Sequence, residues 1–460
     1  MSPTALAISP PALHLVGNTP LVRLTGFNTG PCELFLKLES QNPGGSIKDR
    51  MAVAMIEAAE RDGQLKPEGT IVEATAGNTG IGLALVAAIK GYRLILVIPD
   101  KMSPEKIAHA KALGADIRLT RSDVSPGHPM YYQEMAARIA REENAYNINQ
   151  FANPANPMAH EIATGPEIWD QMEHRMDAIV CGIGSGGTMT GLSRFFARVE
   201  PKCEMVLADP LGSVLAELVR SGRPGPSGSY AVEGIGGSCM PQIADVSRVR
   251  EAYSISDKES FHTARQLLKC TGIFAGPSSG TLLAASLRYC REQKQPKRVV
   301  TFVCDAGAKY LSKMYNDYWM LDQGYMERPS TGNLRELVAR RYEEGAVITV
   351  GPDDTLLTAF QRMRMADISQ VPVIENGNCI GVLDESDLLL AIHQDPDKFK
   401  THVRGAMTSK LETVSADAPI ESVFDILDRG LVALVTEGNN FIGLITRSDL
   451  LGHLRRKITH

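Results

Sequence analysis

Gln41-Asn42-Pro43-Gly44-Gly45-Ser46-Ile47-Lys48-Asp49-Arg50 is the stretch around which the chain is organised. A strand-like run, Glu33 to Leu38, leads into it, and a helix-like run, Arg50 to Arg61, leads out. Asn-Pro-Gly-Gly reads as a loop, and Ser46 as the N-cap of the helix. Lys48 then stands at the start of a helix, just past the end of a strand. The positive end of the helix dipole repels an ammonium group there. The same place suits a lysine whose pKa must fall so that its amine can attack a carbonyl. A lone Ser-x-Lys is more often a solvated loop lysine, so the reading depends on the other stretches of the chain.

The 460 residues leave room for two or more domains. A hydrophobic fraction of 43% with 22% charged residues describes an ordinary globular chain. The net charge of -5, without a basic block, argues against nucleic acid as a partner. No apolar run approaches the roughly 18–20 residues that span a bilayer, and no signal peptide is evident, so no membrane partner and a cytoplasmic location are expected. Eight scattered cysteines without a Cys-x-x-Cys pair read as free buried thiols, not as disulfides or a zinc site.

From Glu33 to about Thr301 short apolar strands alternate with helical periodicity. Thr70–Glu73, Leu94–Ile98, Ala178–Cys181, Met205–Ala208 and Val299–Cys304 read as strands. Pro104–Leu113, Met130–Glu142, Thr190–Val199, Ser260–Lys269 and Thr281–Glu292 read as helices. The fold class is therefore α/β, with mainly parallel sheets covered by helices and ligands at the carboxyl ends of strands. Around Tyr325–Gly345 the texture changes. Arg328-Pro329-Ser330-Thr331-Gly332 reads as a boundary, followed by a charged helix over Leu334–Glu344.

An internal repeat follows. The segment from Val347 to Leu356 resembles that from Leu411 to Ile420, and Ile380–Leu389 resembles Ile442–Leu451. Two copies of strand–helix–strand–strand–helix are expected to pack as a pseudo-twofold pair, too few for a solenoid. The expected domains are 1–322 for the core, 323–344 for a linker, and 345–400 and 401–460 for the two copies.

Three strand-to-helix turns carry chemistry. Ala74-Thr75-Ala76-Gly77-Asn78-Thr79-Gly80 offers small residues and backbone amides to a carboxylate, or is a plain turn. Gly182-Ile183-Gly184-Ser185-Gly186-Gly187-Thr188 offers amides and a hydroxyl to a phosphate. Gly182, Gly184 and Gly187 also fit G-x-G-x-x-G, and Asp209 stands where a ribose-binding acid would. A dinucleotide-dependent oxidoreductase is thus a reading of this stretch alone. Ile273–Gly280 is again strand, turn and helix start, where Ser278 and Ser279 are in isolation best read as caps.

Together these turns and Lys48 resemble the fold type II, or β, family of pyridoxal-phosphate enzymes, over residues 12 to about 320. Gly17-Asn18-Thr19-Pro20-Leu21, Asn42–Arg50, Gly77–Gly80, Asn153-Pro154-Ala155-Asn156-Pro157, Gly184–Thr188 and Glu233-Gly234-Ile235-Gly236 stand in family order. The resemblance implies a core of two α/β subdomains with pyridoxal 5'-phosphate as cofactor, bonded by Lys48. It implies that Asn78 meets the ring hydroxyl. Gly184, Ser185, Gly186, Gly187 and Thr188 hold the phosphate, and Ser278 faces the pyridine nitrogen. Thr75, Ala76, Gly77, Asn78 and Thr79 hold the substrate carboxylate, with Gln150, Glu233 and Gly234 also at the substrate. A serine at the nitrogen leaves it neutral, a weaker electron sink that favours β-elimination over transamination.

Two groups within the family compete. Val232–Gly236, with Glu233, resembles the cystathionine β-synthases. Gln150-Phe151 resembles the O-acetylserine sulfhydrylases, and Gly237 departs from the aromatic residue of many cystathionine β-synthases. The C-terminal repeat resembles a tandem CBS-domain (Bateman) module, which attached to this core points to the first group. The implied reaction is replacement of the serine β-hydroxyl by homocysteine, with cysteine as a substitute that releases hydrogen sulfide. O-acetylserine sulfhydrylase with a regulatory tail is the alternative. No cysteine precedes Cys32 and only His14 lies in the leader, so no haem is expected. The resemblance also implies a homodimer or higher homo-oligomer. It places nucleotide-binding acids at Asp387 and Asp449. Thr446 favours the second copy, whereas Asp384 in the first would repel a phosphate. S-adenosylmethionine or AMP/ATP is the implied ligand, and helix capping is the structural alternative.

Overall fold

Strand–helix alternation builds two sheets in the first part of the chain. The computed structural model describes residues 12–75, 77–100, 103–125, 127–327, 331–338, 340–393 and 395–458. The strands are β1 (Leu21–Arg23), β2 (Glu33–Lys37), β3 (Thr70–Ala74), β4 (Arg93–Pro99), β5 (Asp116–Thr120), β6 (Tyr146–Asn147), β7 (Ala178–Cys181), β8 (Glu204–Pro210), β9 (Val249–Ile255) and β10 (Arg298–Phe302). One sheet has the order β1-β2-β10-β7-β8-β9 and the other β5-β4-β3-β6. Every pairing is parallel except β1 with β2. The strands are continuous apolar runs because helices cover both faces, as the fully buried Ile179, Val180, Val206 and Leu207 show.

The helix Lys48–Arg61 packs on Asn78–Lys90, burying Met51, Met55 and Ile56 with Leu83, Val86 and Ala87. At roughly 25 cal/mol per Å² of apolar surface, each such side chain contributes about 1.5–3 kcal/mol. This packing fixes the first turn of each helix, and those turns carry Lys48 and Asn78.

The chain divides into two compact units between Tyr315 and Asn316. The second unit holds β11 (Gln370–Glu375) paired with β12 (Asn378–Asp384), and β13 (Thr413–Ser415), β14 (Ala433–Glu437) and β15 (Asn440–Ile445) in one sheet. The two repeats have separate cores, around Val371, Val373 and Leu383 and around Val435, Ile442 and Ile445. Val382, Leu434 and Phe441 form a shared cluster between them.

Three local expectations change. The helix Lys48–Arg61 begins one residue later than a Ser46 cap requires, since Ile47 occupies the cap position in helical conformation. Ser46 Oγ still accepts from Lys48 N at 3.2 Å. The helix expected over Leu334–Glu344 is only a 3-10 turn, Leu334–Glu336. Leu334, Leu337 and Val338 are drawn into the core of the second repeat, which outweighs helix propensity. Ile273–Ala275 forms no strand beyond one bridge, Ala275 to Ala306. Among the described residues, no helix is long and apolar enough to cross a membrane.

Candidate active site

One pocket gathers Lys48, Asn78, Gly184, Ser185, Gly186, Gly187, Thr188, Gly234, Ser278 and Cys304. The sheet order explains the convergence. β2, β10 and β7 are neighbours in the larger sheet, and the segments after them carry Lys48, Cys304 and Gly184 to Thr188, while Asn78 follows β3 of the other sheet. The motif Lys48-Asp49-Arg50 divides its work. Asp49 Oδ2 accepts from Gly44 N at 2.5 Å and closes the loop. Arg50 pairs with Glu39 at 2.7 Å and Glu167 at 2.9 Å. Lys48 is left for the pocket, where no partner for its Nζ is found among the described residues. Burial lowers its amine from the ordinary lysine value, against smaller opposing effects of Cys304 and Asp305. A free base can therefore form there without removal of a competing carboxylate.

The glycine loop is a cradle by construction. Gly186 has φ +95°, and a Cβ on Gly187 would fall 1.9 Å from Asn156 Oδ1. That oxygen is buried without a hydrogen-bond partner among the described residues, while Asn156 Nδ2 donates to Gln150 O and Ser185 Oγ at 2.8 and 2.9 Å. The loop opens the helix Gly187–Val199, whose first N–H groups have no intrahelical partners. Its donor set and concave backbone fit a phosphate. Thr188 Oγ1 lies 3.3 Å from His160 Nε2, and His160 Nδ1 lies 3.0 Å from Thr164 Oγ1. Burial, with Lys48 and Arg50 adding to it, holds the His160 imidazole well below its ordinary range. His160–Thr164 is a π-helical turn, a distortion common at functional sites.

The helix Pro277–Glu292 has Gly276 at its cap position without a side-chain bond, so the serines do not cap it. Ser279 Oγ accepts from Cys304 N at 2.9 Å, while Ser278 lines the pocket. Of the residues expected at the substrate, Thr75, Thr79, Gln150 and Glu233 adjoin the pocket through a polar network and do not line it. Thr75 Oγ1 accepts from Gly77 N at 3.3 Å. Thr79 Oγ1 donates to Gln150 Oε1 at 2.8 Å, and Gln150 Nε2 to Glu73 Oε1 at 3.1 Å. Ala76 lies outside the described residues. In the second unit, Thr446 N and Oγ1 both donate to Asp449 Oδ2, at 2.8 and 2.6 Å. Asp387 and Asp384 form a reciprocal capping box. Both acids thus serve helix starts, and the Thr446 hydroxyl meets Asp449.

Sequence reading missed Glu73, Lys106, His160, Asp305, Lys309, Tyr310 and Lys313, and gave Asn156 no role beyond its place in the Asn153–Pro157 motif. Asp305 carried a signal, since it directly follows the apolar run Val299–Cys304 that reads as a strand, at its carboxyl end. Lys106 and Lys313 carried none, being far apart in sequence and brought together at Glu233 by the fold.

Residues 12–305 match the family of pyridoxal-phosphate dependent enzymes, and 339–394 and 403–456 match the CBS domain. Cystathionine beta-synthase of Dictyostelium discoideum is 34% identical, over 96% of this chain and 92% of its own. The chain belongs to the cystathionine beta-synthase family. The mouse relative is 38% identical over 93% of this chain and 78% of its own, and that of Saccharomyces cerevisiae 31% over 96% and 97%. A solved hydrogen sulfide-producing enzyme from Fusobacterium nucleatum is 35% identical with a TM-score of 0.61, covering 65% of this chain and 99% of its own. An O-ureido-L-serine synthase structure is 31% identical with a TM-score of 0.62, covering 70% and 96%. The family assignment overturns the dinucleotide reading of Gly182–Gly187. Geometry supplies the reason for Asp209: its carboxylate accepts from Ala216 N at 2.8 Å, at the start of the helix Leu215–Ser221.

Proposed function

We propose that the protein joins L-serine to L-homocysteine in a pyridoxal-phosphate-dependent β-replacement that forms cystathionine. The observation that carries this is the placement of the Lys48 amine, without a partner among the described residues, in one pocket with the glycine cradle, Asn78 and Ser278. When bound, the cofactor supplies an electron-withdrawing ring that stabilises negative charge at the substrate Cα. Lys48 would hold the cofactor, and its free amine would take the Cα proton of the substrate. Gly184 to Thr188 offer backbone N–H groups to the phosphate. Ser278 places a neutral hydroxyl at the ring nitrogen, and Asn78 an amide at the ring hydroxyl. Thr75 to Thr79, oriented through Gln150, receive the substrate carboxylate. Gly234, which lines the pocket, and Glu233, which adjoins it, are further candidates for substrate contact.

Cysteine is proposed as a substitute for serine, with hydrogen sulfide as the product; the similarity to a hydrogen sulfide-producing enzyme supports it. Phe151 supports a second reading, O-acetylserine with sulfide. We assign 1–322 to catalysis, 323–344 to a linker, and 345–400 and 401–460 to a regulatory pair. We further assign a cytoplasmic homodimer or higher homo-oligomer, with Thr446 and Asp449, then Asp387, as the candidate adenosyl-ligand residues. Product analysis decides the main reading. Cystathionine from serine plus homocysteine is expected, with turnover lost in Lys48→Ala although that variant still takes up cofactor. Exclusive formation of cysteine from O-acetylserine plus sulfide would replace it with the second reading.

A further inference from the structure

Asn78 meets a lysine on one side and a carboxylate on the other. Lys309 Nζ donates to Asn78 Oδ1 at 2.7 Å, and to the carbonyls of Gly44 and Gly45 at 2.8 and 3.1 Å. An ammonium group has three N–H donors, so all three are used. On the other side Asn78 Nδ2 donates to Asp305 Oδ2 at 2.7 Å, an oxygen that also accepts from the Tyr310 hydroxyl at 2.6 Å. Lys309, Asp305 and Tyr310 are buried.

This arrangement has one orientation. Rotating the amide by 180° would set its NH2 against the ammonium and its oxygen against the carboxylate. Both contacts would become repulsive inside a desolvated cluster, where unpaired polar groups are costly. Asn78 Nδ2 has a second hydrogen, and among the described residues no acceptor for it is found. Lys309 also ties the amide to the loop before Lys48. Its carbonyl partners are Gly44 and Gly45, Ala306 N donates to Gly45 O at 3.1 Å, and Ile47 N donates to Cys304 O at 2.9 Å. The loop that precedes Lys48, the helix that carries Asn78 and the turn after β10 are thereby one hydrogen-bonded unit.

We propose that Lys309 is a positioning residue: with Asp305 it fixes the Asn78 amide so that an N–H, not the carbonyl oxygen, is presented to the pyridoxal-phosphate ring oxygen. This rests on the proposed function, in which Asn78 faces that ring. Lys309 does not touch the reacting atoms and acts through Asn78. Burial lowers its amine to about 8, while Asp305 and Asp49 pull it up and Lys106 lowers it further. The ammonium form that makes all three bonds is thus the major form at neutral pH and declines above it.

The test is a double-mutant cycle on the full chain, read by pyridoxal-phosphate titration and by the visible absorption maximum of the bound cofactor. Lys309→Met is expected to weaken cofactor binding roughly tenfold and to move the maximum, the size of effect of losing a hydrogen bond to a charged donor. In an Asn78→Leu background the same change is expected to alter neither quantity, because the two residues act through one contact. Lys309→Gln keeps an N–H donor without the charge and is expected to retain part of the affinity; it also serves if Lys309→Met does not fold. Wild-type affinity and spectrum in both Lys309 variants would overturn the proposal. So would an equal loss in the two backgrounds, which marks a merely structural lysine. Wild type that takes up no pyridoxal phosphate would overturn the proposed function and this inference with it.

Discussion

Lys106 Nζ lies 2.6 Å from Glu233 Oε2, and the pair joins a helix of the smaller sheet to the loop beside the pocket. Lys313 takes the other oxygen of Glu233 at 2.7 Å, and Lys106 also donates to the Tyr310 hydroxyl at 2.9 Å. Burial pushes the Glu233 carboxyl up, but the two lysines outweigh it and hold it below its ordinary range. Because the folded value is depressed, the stabilisation is present above the ordinary carboxylate range and is lost as pH falls through the depressed value. Glu233→Gln leaves two largely buried ammonium groups without their counter-charge. A loss of about 2–3 kcal/mol at pH 7 is expected, read as a lower urea midpoint of the first unit. An unchanged midpoint would show that solvent already screens the cluster.

Glu73 offers the opposite sign. Its carboxylate is buried at the end of β3, Oε2 has no partner among the described residues, and burial raises the carboxyl from 4.5 to about 7 against the bonds from Gln150 and Asn149. The folded protein binds the proton more tightly than the unfolded chain. Stability from this group therefore falls between pH 4.5 and about 7 and stays low above, by roughly 3 kcal/mol in all. Glu73→Gln keeps an oxygen for Gln150 and removes the charge. Its melting temperature should exceed that of wild type at pH 8, with the gap closing towards pH 5. A gap that is constant with pH would contradict this.

Ser278→Asp places a carboxylate where a hydroxyl now lines the pocket. A carboxylate facing the cofactor nitrogen would hold a proton on it and strengthen the electron sink. β-Replacement should drop at least tenfold (roughly 1.4 kcal/mol in the barrier) with a changed visible spectrum. Wild-type rate and spectrum would reduce Ser278 to a packing residue.

Asp449→Ala tests the second unit. The carboxylate accepts twice from Thr446, so its removal costs about 1 kcal/mol of local stability whether or not a ligand binds. Calorimetric titration separates the roles. Heat from S-adenosylmethionine, AMP or ATP with wild type, abolished in Asp449→Ala, supports a ligand site. No heat with wild type leaves the acid a helix cap, and equal heat in both proteins moves the site towards Asp387.

The fold was largely legible because its signals are local. Short apolar strands alternating with helical periodicity give parallel sheets, and glycine-rich turns after Ala178–Cys181 and Thr70–Ala74 mark the carboxyl ends where ligands bind. Leu334–Glu344 was misread because three apolar side chains, Leu334, Leu337 and Val338, gain more from the core of the second repeat than from helix. Ser46 missed the cap by one residue, since cap positions depend on dihedral angles that composition does not report.

By itself the sequence determined that Lys48, Asn78, Gly184 to Thr188 and Ser278 stand at helix starts, because turn chemistry and patterning act over a few residues. Only the tertiary structure decided what surrounds them. Lys309 meets Asn78 across 231 residues of chain, and Lys106 meets Glu233 across 127. Such contacts come from sheet order and from the burial of charge, which no short stretch encodes. The same burial lowers the Lys48 amine, raises the Glu73 carboxyl and leaves the Asn78 amide a single orientation, since in a desolvated interior each charge must find its partner or shift its proton.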